Sequence, residues 1–405
     1  MVGISETRLV TLVALIQFVF VIDFMMVAPL GPDYSGALNA DNSDIGLVVA
    51  SYTIAAAISG LLLAKFLDRF DRRSVIIFFL VGLSLTTIAC AFSNDISELI
   101  FLRFVAGFFG GPAATIAISM VIDAVPEARR GKSIGKVMSA FSLASIIGIP
   151  IGLELSHRGG WEMPFYVVGL LILVTALMIA FLLPAMKGHL TRADNSQSLL
   201  ISKQSFKTLF YRPEALVTYF MTMTSMLAAF LIIPNIAAFM QFNLGYPRDS
   251  YGLLYFLGGV ISLVVMRFTG KWVDQFDIKL IGICGTLLII AVVFSGFVSA
   301  PALVSATVLF VVYMSAMSIR NVVSVSISSM VPSRHERAAF TSLNQSVSHL
   351  SAGAGALIGS YYLTTSDTGQ LIGIDTLGLW AIGLSLFMPV CVIYLSRFVA
   401  QRKSY

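Results

Sequence analysis

The chain is 405 residues long, 57% hydrophobic and only 12% charged, with a formal net charge of +5 and a mean hydropathy of +0.89. Soluble domains carry about 25% charged residues, so about half of the expected solvating surface is missing and a soluble enzyme is excluded. Nucleic-acid binding is excluded too, because the basic residues stand in short loops between apolar runs and form no continuous face.

A membrane span needs about 20 mainly apolar residues. Twelve such segments follow one another: 8–30, 44–66, 74–93, 98–122, 135–156, 162–184, 213–239, 250–270, 279–299, 302–328, 338–362 and 374–396. Unpaired backbone groups are not tolerated in lipid, and the runs are too long and too uniformly apolar for barrel strands, so all twelve are predicted helices. Only Arg8 precedes the first run and no small-residue cleavage site follows it, so it reads as a membrane helix rather than a removable leader. Cys90, Cys284 and Cys391 all fall inside apolar runs and read as small buried hydrophobes, not as a disulfide framework or a metal site.

Lys and Arg set the orientation. With a cytoplasmic N-terminus, 22 of the 26 basic residues lie in inside segments or the adjoining helix ends, among them Lys65, Arg69, Arg72, Arg73, Arg129, Arg130, Lys132 and Lys136. Arg158 and Arg248 fall outside, and Arg103 and Arg320 lie within spans. This asymmetry predicts an inner-membrane protein with both termini in the cytoplasm. The longest inside segment, 185–212, separates an N-terminal six-helix bundle, 1–184, from a C-terminal one, 213–405. Within it Leu199, Leu200, Ile201, Phe206, Leu209 and Phe210, with Lys203 and Lys207 between them, read either as a surface amphipathic helix or as a plain linker.

The halves repeat. Gly46-Leu47 matches Gly252-Leu253, and Ala64-Lys65-Phe66-Leu67-Asp68-Arg69-Phe70-Asp71 matches Gly270-Lys271-Trp272-Val273-Asp274-Gln275-Phe276-Asp277. Val125-Pro126 matches Val331-Pro332, and all three offsets are 206 residues. Six is an even number of spans, so both halves enter the membrane the same way round, related by an axis along the membrane normal. A duplication inside one chain favours alternating access at the interface of the halves over a channel.

These residues resemble the major facilitator superfamily, specifically its twelve-helix drug–proton antiporter-like branch, over the whole chain. The loop from Ala64 to Arg73 is similar to the family's Gly-x-x-x-Asp-Arg-x-Gly-Arg-Arg/Lys motif, with Ala64 and Asp71 in place of two glycines. Arg103-Phe-Val-Ala-Gly107 is similar to the Arg-x-x-x-Gly signature of proton-coupled members. Gly148-Ile-Pro150-Ile-Gly152 is a diluted form of the antiporter Gly-Pro-x-x-Gly-Gly motif, because Ile149 separates Gly from Pro. Val21-Ile-Asp23 is similar to efflux members that carry an acid in the first span.

The resemblance implies a cytoplasmic gate. Asp68 would face the N-terminus of span 11, near Ala338, where a carboxylate satisfies free N–H groups and the helix dipole. Arg69 and Arg72 would pair with Asp123, and Asp274 would repeat the device more weakly, since Gln275 replaces an arginine and Ser329 stands where Asp123 would recur. The plainer reading is that these charges end helices and set topology.

Ionisable residues inside spans are functional candidates by default. Asp23, roughly 10 Å deep, and Arg103, roughly 8 Å deep from the same side, can meet if spans 1 and 4 are neighbours. Dehydration favours the protonated acid and a neighbouring guanidinium the ionised one. The pair therefore reads as a proton-coupling site, a permanent structural ion pair, or a substrate contact. Arg320, roughly 13 Å deep in span 10, has Ala114 at its repeat position and no obvious acid beside it. It reads as binding an anionic or zwitterionic substrate group, unless backbone carbonyls satisfy it. Span 11 carries Ser342, Gln345, Ser346 and His349 on one helical face. His349 is a second protonation candidate, or a neutral histidine bonded to a neighbouring helix; Asn344, Gln17 and Tyr52 join Gln345 as substrate-binding candidates.

No nucleotide-binding loop, catalytic pair or metal cluster stands in a convincing context. The expectation is a monomeric, cofactor-free carrier in the lipid bilayer, driven by a proton gradient. It would export small organic molecules such as drugs, sugars or metabolites. The alternatives are proton symport or facilitated uptake on the same fold, and a sensor that has lost transport.

Overall fold

The computed structural model describes residues 5–67, 69–186, 209, 211–299, 302–333 and 337–403. Twelve long helices account for most of them. In the first half these are α1 (Glu6–Met25), α2 (Ile45–Leu67), α3 (Arg72–Cys90), α4 (Ile96–Ala124), α5 (Glu127–Leu143, continued through a π-helical segment, Ala144–Gly148, into Ile149–Gly159) and α6 (Met163–Leu182). In the second half they are α7 (Pro213–Ile232), α8 (Tyr251–Gln275), α9 (Ile278–Val293), α10 (Ala306–Met330), α11 (Arg337–Tyr362) and α12 (Ile374–Ser385, then Phe387–Lys403). The chain divides into two compact units, Met1–Asn195 and Ser196–Tyr405.

Eleven of these helices are long and apolar enough to cross a membrane by length and composition. The exception is α11. It is long enough at 26 residues, but Ser342, Asn344, Gln345, Ser346 and His349 make it more polar than the other eleven. The fold is thus an all-α polytopic membrane architecture of two six-helix bundles. The first expected span is shorter than its apolar run: α1 stops at Met25, a turn follows, and a short helix, Gly31–Ala37, begins with Pro32 near its N-terminus. Pro29 and Pro32 lack the N–H needed to continue the first helix. Asp23 therefore sits two residues from the end of α1, not about seven. The segment read as a surface helix or linker, Leu199 to Phe210, lies outside the described residues except Leu209, which is buried in the core of the second unit.

The two units share one packing plan. α1 packs on α5, α2 along α4, and α3 on α4 and α6; likewise α7 packs on α11, α8 along α10, and α9 on α10 and α12. The 206-residue repeat reappears as helix boundaries: Ile45 and Tyr251 begin α2 and α8, Arg72 and Ile278 begin α3 and α9, Ala124 and Met330 end α4 and α10. One chemical reason is a repeated N-cap. Asp71 accepts from the Arg73 amide at 3.3 Å, and Asp277 accepts from the Lys279 amide at 3.0 Å. That bond, joined by the Lys279 ammonium at 3.1 Å, holds the Asp277 carboxyl below its ordinary pKa. Asp71, which stands where the family motif has glycine, also accepts from the Met186 amide at 2.6 Å and so ties the segment that follows α6 to the start of α3. Outside the helices, β1 (Thr364–Thr365) and β2 (Leu371–Ile372) form a small antiparallel hairpin that the sequence did not announce. Asn243 clamps it, donating to the Leu371 carbonyl and accepting from its amide, each at 2.9 Å.

Asp71→Ala removes a cap and an inter-helix bond and is expected to cost about 1–2 kcal/mol, whereas Asp71→Asn, an equally good cap, costs much less. Thermal unfolding of the purified protein and both variants measures this. Equal midpoints for Ala and Asn would show that the cap contributes nothing.

Candidate functional site

The polar centre of the first unit is built on α1, α3 and α4. Arg103 Nη1 donates to Asp23 Oδ1 at 3.0 Å, and Nη2 donates to the Asp23 backbone carbonyl at 3.2 Å. Thr87 on α3 donates to the same Oδ1 at 2.7 Å. Asp23 is 0% and Arg103 1% exposed. The guanidinium carbon lies 4.3 Å from the centre of the Tyr52 ring, a cation–π contact, and the Phe24 ring lies 5.6 Å from the same ring. Three atoms here make no hydrogen bond of ordinary geometry, namely Asp23 Oδ2, Arg103 Nε and the Tyr52 hydroxyl, although the phenol and the Asp23 carboxyl interact; Gln17 Oε1, elsewhere on α1, is also without a partner. A buried ion pair is near balance, because desolvation offsets most of the Coulomb attraction, while removing one partner costs about 3–5 kcal/mol. Such a pair is sensitive to any change in hydration.

Glycines on α4 set this geometry. Arg103 and Gly107 are four residues apart on one helical face, and a Cβ at Gly107 would overlap the Tyr52 backbone carbonyl. A Cβ at Gly110 would overlap the Tyr52 hydroxyl, and one at Gly111 the Ala56 carbonyl. The absent side chains let α2 lie against α4 and bring the Tyr52 ring onto Arg103. Gly148 does the same for α5, since a Cβ there would overlap Ile22, the neighbour of Asp23. Gly148 closes the π-helical segment and Pro150 stands just beyond it. Gly152 is less crowded, with only Met26 Cβ at 4.0 Å.

At the end of the unit where α3 begins, Arg72 Nε pairs with Asp123 Oδ2 at 3.2 Å. Arg73 donates to the Ala180 carbonyl of α6. The expected second partner of Asp123 does not join it: Arg69 lies in the turn before α3, is exposed, and makes no ion pair among the described residues. Arg72, the first residue of α3 with its backbone anchored by the Asp71 cap, is the one in reach. Asp68 lies outside the described residues, as does the side chain of Asp274 in α8. Ser329, at the repeat position of Asp123, donates back to the Ser326 carbonyl at 2.7 Å.

In the second unit Arg320 is 6% exposed. Its Nη2 meets the Met317 sulfur at 2.8 Å and its Nη1 has no partner. Asn344 accepts from Thr222 at 2.8 Å, so α11 is bonded to α7 there. Gln345 is exposed and His349 half-buried. Residues that the sequence reading passed over complete both sets. Thr87 reads as one more β-branched residue in an apolar span until its contact with Asp23 is seen. Tyr313 and Asn235 are wholly buried with side-chain polar atoms unpartnered. Tyr313 stands two turns before Arg320, a spacing that could have drawn notice.

The family model described as Major Facilitator Superfamily matches residues 13–356. The chain belongs to the major facilitator superfamily, a family of membrane transporters. Solved structures share its fold: a mutant of the nucleoside transporter NupG at 16% identity, covering 96% of this chain and all of that one, TM-score 0.73; a D-xylose-proton symporter at 18% identity, covering 95% and 97%, TM-score 0.74; and a bacterial homolog of the human lysosomal transporter Spinster, inward-facing and unoccupied, at 16% identity, covering 98% and 95%, TM-score 0.70.

Gly107→Ala forces the Tyr52 backbone away from α4 and is expected to cost about 1–3 kcal/mol. Gly131→Ala, where an added Cβ meets nothing within 4 Å, should be neutral or stabilising by up to about 1 kcal/mol. Thermal unfolding of the two variants compares them directly, and similar midpoints would mean that the α2–α4 approach is not tight.

Proposed function

We propose that this chain is a proton-coupled secondary transporter that exports small organic molecules by alternating access, from an inner membrane with both termini in the cytoplasm. The observation that carries the reading is the uneven treatment of one carboxylate. Asp23 Oδ1 is held by Arg103 and Thr87, while Oδ2 is buried and makes no hydrogen bond of ordinary geometry, although the Tyr52 hydroxyl lies close enough to interact with the carboxyl. A proton taken up at Oδ2 neutralises the acid and releases the charge that holds Nη1 of Arg103. The guanidinium then keeps the Asp23 carbonyl and the Tyr52 ring.

The remaining residues take supporting roles. His349 is a second protonation site; Gln17, Tyr52, Asn344 and Gln345 are candidate substrate contacts. The Arg72–Asp123 pair, with Asp68, Arg69 and Asp274 by family resemblance, forms the cytoplasmic gate. Gly148, Pro150 and Gly152 supply the hinge-like stretch of α5 that suits an exporter. The carrier works as a monomer without a cofactor. A second reading, proton-driven uptake, is favoured by the D-xylose-proton symporter among proteins of the same fold.

The test is proton movement in vesicles containing the purified protein, read with a pH-sensitive dye, on adding a panel of lipophilic cations, sugars and organic acids. An active compound should move protons through the parent and not through Asp23→Asn. Equal proton flux in both would remove Asp23 from the coupling step. Accumulation of the compound in the direction of proton entry would replace export by uptake.

A further inference from the structure

In the second unit the described residues provide no counter-charge for one buried positive charge. Arg320 is buried, and the described residues place no carboxylate in ion-pair contact with it. A guanidinium carries five donors. Here Nη1 has no acceptor, and Nη2 has only the thioether of Met317, a weak one. One and two turns further on, Val323 and Ile327 enter an apolar core with Phe340, Met388 and Val392.

The direction of the side chain tells where the missing acceptor belongs. Long side chains on a helix lean towards its N-terminus, and the contact with Met317, three residues earlier, shows Arg320 doing so. That brings the guanidinium towards the turn of Tyr313, seven residues earlier on the same face. Tyr313 is 0% exposed and its hydroxyl is also without a hydrogen-bond partner; the two groups are within electrostatic reach of each other. Two kinds of unmet donor, one charged and one neutral, thus stand two turns apart on one face of one helix. Leaving a buried cation unpaired is costly, and none of the described residues supplies the anion that would complete the site. A planar carboxylate matches the guanidinium fork and can take the phenol hydroxyl on one of its oxygens.

We infer that Arg320 and Tyr313 form a binding site for the carboxylate of a small organic anion, the substrate class of this carrier. The inference rests on the transporter reading above, but its test does not use transport. Equilibrium binding of benzoate to the full chain in phosphatidylcholine nanodiscs is measured by titration calorimetry, with benzamide as the neutral analogue, and inorganic phosphate and phosphatidylglycerol nanodiscs as rival sources of anionic oxygen. Benzoate should bind saturably and benzamide should not. Arg320→Gln should abolish binding, Arg320→Lys should weaken it about tenfold by losing the fork, and Tyr313→Phe should weaken it about tenfold or more by losing one hydrogen bond to a charged group. If Arg320→Gln does not fold, the Lys and Phe variants carry the comparison. Binding of benzamide as tight as benzoate, unchanged benzoate binding in the Arg320 variants, tighter binding of phosphate than of benzoate, or loss of benzoate binding in phosphatidylglycerol would each overturn the assignment. Absence of benzoate binding beside intact proton-coupled flux would overturn it while leaving the transport reading in place.

Discussion

Inside a bilayer a backbone amide or carbonyl has no water to bond to, and everything else in this molecule follows from that. Each apolar run must become a helix that satisfies its own backbone. Helices then associate without a hydrophobic driving force, since lipid is as apolar as a leucine side chain, and close approach through small residues takes its place. The Tyr52–Gly107 and Ala56–Gly111 contacts are such approaches. The same constraint makes every polar side chain within a span conspicuous, because its partner must also come from the protein or from something that enters it.

The packing and the chemistry of the first unit are one design. Arg103 and Gly107 share a helical face, and the second is what lets the first have its aromatic partner. A helix that packed through larger residues would hold Tyr52 away, leaving the guanidinium to Asp23 alone. Thr87 then fixes which carboxylate oxygen is engaged. The ion pair is consequently asymmetric: one oxygen accepts two hydrogen bonds and the other none of ordinary geometry. A group built that way has a preferred place for a proton without any movement of the backbone.

Much of this could be read from the chain. Apolar run length located the twelve helices, since lipid imposes a length on each, and the 206-residue repeat located equivalent helix ends because the capping aspartates Asp71 and Asp277 repeat with it. Charge scarcity singled out Asp23, Arg103 and Arg320. What could not be read depends on rotamers and on partners distant in sequence. A threonine in an apolar span has no signature that separates Thr87 from its neighbours. Arg69 and Arg72 are equal candidates for Asp123 until the turn before α3 gives only one of them reach. Asp71 looked like an eroded glycine, and its two amide contacts belong to a cap and to the segment that follows α6. The first helix ends early because its apolar run outlasts its ability to donate hydrogen bonds, and hydropathy does not count donors.

The two units answer the problem of buried charge in opposite ways. In the first, cation and acid neutralise each other inside one bundle, and proton uptake changes a charge that is already compensated. In the second, Arg320 and Tyr313 are donors without an acceptor among the described residues, and the inferred ligand would bring the compensation. A duplicated fold gives both units the same helices and the same packing order, so the difference lies wholly in a few side chains. Asp23 and Arg103 have no counterparts at their repeat positions, Ala229 and Leu309, and Arg320 has only Ala114. On the proposed reading, divergence of this kind separates the energy-linked event from ligand recognition without altering the scaffold, because each polar change needs only its local surroundings to accommodate it.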